Sequence, residues 1–270
     1  MGSGQQSDSL KLFIETLVEP KGISQMRKRQ LLYVTLTLGL LGQTTWGQEF
    51  VDIPTPRNLA PMELTGYWVS VITEDWRWRM MTPPKGDYAS IPLNKHGQDV
   101  ANMWDPERDE GSCKAYGAPA VMRMPIRIHI YWENDWTLRI DTDHGMQNRF
   151  LYFEPEERDN GSTLQGYSRA SWGGNPGGRF EFVTVRSELN HLEVRTTKLT
   201  PGYLRRNGIP YSEETGLTEF FDRHNDFSEE WLTVTTIVND PAYLTQEFIT
   251  TSSFKKLYDD SDWRPTPCKE

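Results

Sequence analysis

Positive charge, cysteine and long apolar runs are all scarce in this sequence. The 270 residues include 29 Lys and Arg against 38 Asp and Glu, a formal net charge of -9. So acidic an exterior repels the phosphates of nucleic acids and of anionic membrane surfaces. Because of this charge, we expect no nucleic-acid partner. Only one apolar run, near the N-terminus, approaches membrane-spanning length, which excludes a polytopic membrane protein.

Catalytic signatures are absent as well. The sequence contains no Gly-x-Ser-x-Gly elbow, phosphate loop, His-Glu-x-x-His helix or dinucleotide fingerprint. We therefore assign no catalytic residues and expect no cofactor. What the chain does contain is 36% hydrophobic and 12% aromatic residues, enough to build a globular core and too many for a disordered or collagen-like chain.

The N-terminal region has the three parts of a secretory signal peptide. The segment 26–30, with basic residues at 27–29, precedes an apolar run at 31–41, and small residues Thr45 and Gly47 follow. We predict a signal peptide over 26–47 with cleavage after Gly47, and an N-terminal extension over 48–60. Residues 1–25 are either a leader extension, or translation starts at Met26.

Cleavage would release the protein into the periplasm or the medium, with no stable membrane insertion. The apolar run has about a dozen residues, fewer than the ~20 that cross a bilayer. If the run is retained instead, the chain becomes the N-terminally anchored accessory subunit of an envelope complex.

Both cysteines, Cys113 and Cys268, lie beyond the predicted cleavage site. An oxidising compartment and an even count favour one disulfide, which would tie the C-terminus to an early loop. The alternative is two independent buried thiols.

From residue 61 onward the dominant hydrophobic period is two. Residues 126–132 and 136–143 alternate around a turn at 133–135, which is typical of a β-hairpin. Similar runs occur at 67–73, 76–81, 149–153, 164–172, 180–186, 191–199, 217–223, 231–238 and 248–257. This pattern predicts an all-β domain over 61–270, an antiparallel barrel or sandwich of roughly 8–10 strands. Asn94 is placed to cap its one short helix.

Two resemblances refine this prediction. Gly66-Tyr67-Trp68 is similar to the Gly-x-Trp opening of lipocalin-like, calycin-type barrels, which implies a single antiparallel up-and-down barrel with a ligand in its interior. Residues 92–125, with Gly97, Trp104-Asp105-Pro106, Cys113, Gly117-Ala-Pro119 and Val121-Met122, also resemble a group of secreted bacterial proteins of unassigned activity. The second resemblance supports export.

The polar face of the predicted hairpin supplies the main candidate site. Arg127, His129 and Tyr131 alternate with isoleucines, and Arg139 and Asp141 share their face on the partner strand. If this face points inward, the five side chains line a ligand pocket. In the alternative, the isoleucines fill the core and the polar side chains meet water.

Residues 200–211 combine adjacent arginines with tyrosines and turn residues. Such a segment beside a barrel mouth could act as a lid or anion clamp, so we add Tyr203 and Arg205 to the ligand-binding candidates. The alternative is a structural connector with a solvated basic tip. Residues 141–145 carry two aspartates and a histidine, but they lack the further ligands of a metal loop, and we predict no metal site there.

The sequence thus predicts an exported lipocalin-like protein that binds a small, partly apolar molecule in a barrel cavity. One alternative is an enzyme that uses the same cavity, with Arg127, His129, Tyr131 or Asp141 as acid, base or anion holder. The anchored accessory subunit is the second. No sequence pattern indicates an oligomeric state.

Overall fold

A closed nine-stranded β-barrel forms the centre of the computed structural model, which describes residues 54–109, 111–154, 161–173 and 191–268. Its strands are β1 (Gly66–Val71), β2 (Arg127–Asn134), β3 (Thr137–Thr142), β4 (Asn148–Tyr152), β5 (Tyr167–Trp172), β6 (His191–Thr197), β9 (Gly216–Asp226), β10 (Glu229–Asn239) and β11 (Phe248–Leu257). The hairpin of β7 (Gly202–Arg205) and β8 (Ile209–Tyr211) lies outside the barrel sheet. The predicted all-β barrel is therefore confirmed.

The strands follow the order β1-β11-β10-β9-β6-β5-β4-β3-β2 around the barrel. All neighbours are antiparallel except β4 and β5, which pair in parallel through Leu151 with Ser168 and Tyr152 with Arg169. Sequence alternation alone did not predict this exception. The connection over 153–166 is long enough to return the chain to the end from which β4 started, which a parallel neighbour requires.

Several short helices accompany the barrel where the sequence predicted one. They are α1 (Trp76–Arg79), α2 (Lys95–Asn102), α3 (Pro106–Asp109) and α4 (Ala118–Val121), with a 3-10 helix at Lys114–Tyr116. The predicted helix is α2, and the Asn94 side chain caps it by accepting a hydrogen bond from the backbone of Gly97 at 2.8 Å.

The strand predicted at 76–81 is wrong, because α1 occupies this segment. Asp75 has a left-handed backbone, φ 55°, which turns the chain out of β1 and into a helical turn. A two-residue alternation over so short a stretch fits a single turn as well as a strand. The other unpredicted helices are equally short, so no helical period was visible in the sequence.

The apolar faces of the strands point into the barrel. Ile128, Ile130 and Ile140 are completely buried there, as is Trp68 from the first strand. They pack with side chains from around the barrel, namely Leu138, Leu151, Leu192, Val194, Phe221, Leu232, Val234 and Phe254. Each such side chain contributes about 1.5–3 kcal/mol through burial. Of the two alternatives for the hairpin, the structure shows the one in which the isoleucines fill the core.

Both ends of the barrel are covered. At one end, residues 115–124 add Tyr116, Val121 and Met122 to the barrel core, and the β7–β8 hairpin contributes Leu204 and Tyr211 to a second apolar cluster. At the other end, the Trp172 indole donates a 2.8 Å hydrogen bond to the carbonyl of Pro56. Trp132, Phe153 and Trp172 pack beneath this contact, with ring centroids 5.4–6.4 Å apart.

The predicted disulfide between Cys113 and Cys268 is confirmed, with a Cα–Cα distance of 5.4 Å. It fastens the C-terminal segment beside the β3–β4 turn, where the backbone of Thr266 also donates a hydrogen bond to Asp143 at 2.8 Å. The bond spans 155 residues of sequence, so it encloses most of the barrel.

Several predictions lie outside the described residues. They are the leader at 1–25, the signal peptide at 26–47, the start of the extension at 48–60 and the strand at 180–186. Among the described residues, no helix has both the length and the hydropathy needed to cross a bilayer.

Candidate functional site

The predicted hairpin site exists as a cluster, but it lies on the outer wall of the barrel. Arg127, His129 and Tyr131 are half-buried on the outside of β2, and Arg139 and Asp141 flank them on β3. Their inward neighbours belong to the packed core described above. The structure therefore brings the five residues together while placing them on the opposite face from the barrel interior.

Aromatic rings continue from this cluster across the outer wall. The His129 ring stacks on Tyr67 with centroids 4.0 Å apart and an interplanar angle of 7°, and it contacts Tyr131 at 4.7 Å. Phe150 and Tyr152 project from the same wall on β4, with their rings 6.3 Å apart. We call Tyr67, His129, Tyr131, Phe150 and Tyr152 the outer aromatic face.

Asp141 connects the two halves of this face. Its carboxylate accepts hydrogen bonds from Tyr131 Oη at 3.0 Å, Arg139 Nε at 2.8 Å and Asn148 Nδ2 at 2.5 Å. The Arg139 guanidinium lies over the Tyr131 ring at 5.4 Å and over the Phe150 ring at 5.1 Å. These contacts hold the rings in fixed positions, which lowers the entropy cost of stacking a ligand on them.

The rings of the face are uncharged at neutral pH. Burial lowers the pKa of His129 below its usual 6.5, even though the nearby Asp141 favours the charged form. Burial, followed by the hydrogen bond to Asp141, raises the pKa of Tyr131 to about 12. The site therefore presents neutral rings beside one paired arginine and aspartate.

A groove of about 520 Å³ adjoins the face where the β4–β5 pairing ends. It is lined by Phe150 and Tyr152 together with Met146, Gln147, Asn148 and residues 163–166. Gln165 Nε2 donates to the carbonyl of Tyr116 at 2.7 Å and to Gln147 Oε1 at 3.0 Å. Gln165 Oε1 is buried and accepts no hydrogen bond from the described residues.

Sequence reasoning missed the groove residues, although one signal pointed to them. Phe150 and Tyr152 alternate with Arg149 and Leu151, so they share the outward side of β4. The residues of 163–166 reach the groove through the parallel pairing of β4 and β5, for which the sequence has no local signature.

Tyr203 and Arg205 lie apart from the outer aromatic face. They belong to the β7–β8 hairpin, which lies at the same end of the barrel as residues 115–124. There, Tyr203 Oη donates a hydrogen bond to the Asp109 carboxylate. Arg205 is only 6% exposed and donates to the carbonyl of Ala89 at 3.1 Å. Segment 200–211 is thus a packed hairpin in which Arg205 is buried and Arg206 is half-buried, so the fully solvated tip of the connector alternative is wrong.

The polar side chains of the acidic turn at 141–145 form hydrogen bonds and an ion pair with other residues of the protein. Asp143 accepts a hydrogen bond from the backbone of Arg127 at 2.8 Å and pairs with its guanidinium at 3.3 Å. His144 Nδ1 hydrogen-bonds Thr266 Oγ1 at 2.7 Å. Within the described ranges, no group of three or more His, Cys, Asp or Glu side chains is arranged to hold a metal ion.

Comparison with known proteins leaves the site to be interpreted from its own geometry. No family model matches the sequence, and neither a curated protein nor a solved structure matches the chain.

Proposed function

We propose that the protein is a binding protein whose ligand is a small, partly apolar molecule of the saccharide type, held on the outer aromatic face and in the adjoining groove. The observation that carries this proposal is the alignment of five half-buried rings on three strands of one wall, β1, β2 and β4. Fixed aromatic rings beside convergent polar groups are the usual composition of a small-molecule site.

Saccharide rings fit this composition because they combine an apolar C–H face with a rim of hydroxyl groups. The apolar face stacks on aromatic side chains, which contribute a large contact area at little entropy cost. The hydroxyls can bond the amides of Gln147 and Asn148 and the Arg139–Asp141 pair. Gln165 also lines the groove, and its side-chain amide is held in place by hydrogen bonds to Tyr116 and Gln147.

The packed interior supports binding on the wall rather than inside the barrel. Ile130 and Ile140 from the hairpin and Phe221 from β9 pack with the other inward side chains in a single cluster. The interior also contains the buried ion pair of Arg149 and Glu219. A ligand there would have to displace these contacts, whereas the outer groove is open.

The contacts of Asp141 favour binding over catalysis. A general base has to accept the substrate proton, and this carboxylate already accepts three hydrogen bonds, one of them from a cationic guanidinium, which leaves little of its acceptor capacity for that task. The Tyr131 hydroxyl remains protonated at neutral pH and donates a hydrogen bond to Asp141. These groups are arranged to position rings and to offer hydrogen bonds.

We also propose that the barrel is lipocalin-like in its ancestry as well as its shape. Gly66 opens β1 with φ +110°, a conformation that favours glycine. Trp68 is fully buried, donates its indole N–H to the carbonyl of Leu64 at 2.9 Å, and lies under Lys256. A glycine that opens the first strand and a buried tryptophan two residues later are the features of the Gly-x-Trp opening, and they support this proposal.

Export is the third part of the proposal. The Cys113–Cys268 disulfide supports it, because structural disulfides persist mainly in oxidising compartments. The tripartite pattern at 26–47 supplies the corresponding signal in the sequence.

A glycan array tests the ligand class. The disulfide-intact protein should bind a subset of immobilised oligosaccharides, and titration of the best soluble one should give its Kd. Phe150→Ala and Tyr152→Ala should each weaken binding by about tenfold, that is by about 1.4 kcal/mol, because each removes an aromatic ring on which the ligand stacks. Phe220→Ala is the matched control, since Phe220 is a half-buried ring on the outer side of β9, away from the groove.

The proposal fails if no saccharide binds. It also fails if the β4 variants bind as tightly as wild type, or if Phe220→Ala loses as much affinity as they do.

A further inference from the structure

Four arginines converge at the end of the barrel that residues 115–124 cover, next to the β7–β8 hairpin. Arg79 is the last residue of α1, Arg123 follows α4, and Arg205 and Arg206 form the tip of the hairpin. The first three are only 3%, 8% and 6% exposed, and Arg206 is half-buried. We call these four side chains the arginine cluster.

Carboxylates neutralise only half of the cluster. Arg79 pairs with Glu74 at 2.5 Å, and Arg123 pairs with Asp75 at 2.9 Å. Arg206 donates to the carbonyl of Arg79 at 2.9 Å, and among the described residues it forms no salt bridge.

Arg205, like Arg206, hydrogen-bonds to neutral acceptors and forms no salt bridge among the described residues. It donates to the carbonyl of Ala89 at 3.1 Å and to Ser90 Oγ at 3.2 Å, and it has no carboxylate partner within the described ranges. Among the described residues, both guanidinium groups therefore hydrogen-bond only to neutral acceptors, and the carboxylates of Asp87 and Asp75 favour the charged form of Arg205 from a distance.

This excess charge is costly in the folded protein. Burial, and then repulsion from Arg123, lowers the pKa of Arg205 to about 10 and also lowers the pKa of Arg79. Arg205 remains cationic at neutral pH, so it does not relieve the repulsion by losing a proton. Buried charge without a partner is among the least favourable arrangements in a protein interior.

A small cleft opens among the four side chains. Arg79, Arg123, Arg205 and Arg206 line it together with Trp78, Ala120, Met124 and Leu204, and its volume is about 20 Å³. That volume admits one water-sized group. A larger cleft of about 300 Å³ shares Arg123 and is lined by Phe248, Ser90 and Thr250, and also by Glu74 and Asp75, the carboxylates that pair with Arg79 and Arg123. The body of a ligand could lie there while one of its atoms enters the cluster.

We propose that the arginine cluster is an anion-binding site that takes one oxygen of a small oxyanion, either a carboxylate or a phosphoryl group. Guanidinium groups suit both, because their N–H donors match the spacing of carboxylate and phosphate oxygens. The protein as a whole is acidic, so this local positive excess attracts anions that the rest of the surface repels. The site uses elements separate from the outer aromatic face and stands independently of the saccharide proposal.

Two probes distinguish the oxyanion classes. The disulfide-intact protein is titrated calorimetrically with sodium phosphate and, separately, with sodium acetate, at constant ionic strength set with sodium chloride. At least one probe should bind wild type and raise its Tm. Arg206→Gln should weaken that binding by about tenfold or more, because a hydrogen bond to a charged group is worth about 1.5–3 kcal/mol.

Arg195→Gln is the matched control for the loss of one arginine charge. Its side chain is 74% exposed on β6 and pairs with Glu193, away from the cluster. It should bind the anion as wild type does. Phosphate binding alone identifies a phosphoryl ligand, and acetate binding alone identifies a carboxylate. The proposal is overturned if neither probe binds, or if Arg206→Gln and wild type bind with equal affinity.

Discussion

Arg149 and Glu219 form a bidentate ion pair inside the barrel, with neither side chain exposed to solvent. Arg149 projects from β4 and Glu219 from β9, and two strands separate them in the wall. The guanidinium nitrogens lie 3.1 and 2.5 Å from the two carboxylate oxygens. The pair therefore links two parts of the barrel wall that share no backbone hydrogen bonds.

Glu219→Gln should lower the free energy of unfolding by about 3–5 kcal/mol, because it leaves the Arg149 charge buried without a counter-charge. Urea denaturation followed by tryptophan fluorescence measures the change. The double variant Arg149→Met/Glu219→Leu removes both charges and should be clearly more stable than Glu219→Gln. Equal losses in the two variants would contradict an effect of the unpaired charge.

The disulfide should stabilise the barrel mainly by restricting the unfolded chain. Replacing Cys113 and Cys268 with serine frees a loop of 155 residues and should cost about 2–5 kcal/mol. The measurement is denaturant unfolding of the variant and of wild type, each with and without reductant. Reduced wild type should resemble the variant, and a variant as stable as the oxidised protein would contradict the prediction.

His129 should titrate below pH 6.5, because burial against Tyr67 and Trp263 disfavours its charged form. The unfolded chain then takes up this proton first as the pH falls. Stability is therefore fully present above about pH 6.5 and declines towards the lower folded pKa. An NMR titration of the His129 ring measures that pKa, and a value at or above 6.5 would contradict the prediction. His129→Gln should remove this part of the pH dependence.

Processing of the N-terminus is the fourth prediction. The protein recovered after export should begin at Gln48, because the pattern at 26–47 predicts cleavage after Gly47. Edman sequencing or intact-mass measurement checks this. An N-terminus at Met1 or Met26 would reject cleavage and favour the anchored alternative.

The sequence predicted those parts of the fold that have a local period. The hairpin of β2 and β3 follows from alternation at 126–132 and 136–143, and the cap of α2 follows from Asn94. The prediction of the disulfide required only the number of cysteines and the expectation of an oxidising compartment. Alternation also establishes that two sets of side chains lie on opposite faces, but it does not say which face is inside.

Contacts between distant segments could not be predicted in this way. Arg149 and Glu219 each lie in phase with apolar neighbours, Leu151 and Phe221, so both could have been identified as buried. Their pairing depends on strand order, which the sequence pattern does not contain. The arginine cluster joins three segments far apart in sequence, and the groove depends on a parallel pairing that no local motif indicates.

The parallel pairing of β4 and β5 is only two residues long. A closed barrel has no free edges, yet here the closure along one line rests on Leu151, Tyr152 and their partners. Residues 148–150 therefore come close to being an edge strand, the kind of surface on which a foreign strand can add. Segment 163–166 lies beside residues 148–150 in the groove. A ligand bound in the groove would also cover residues 148–150 and prevent a strand from another copy of the protein from pairing with them.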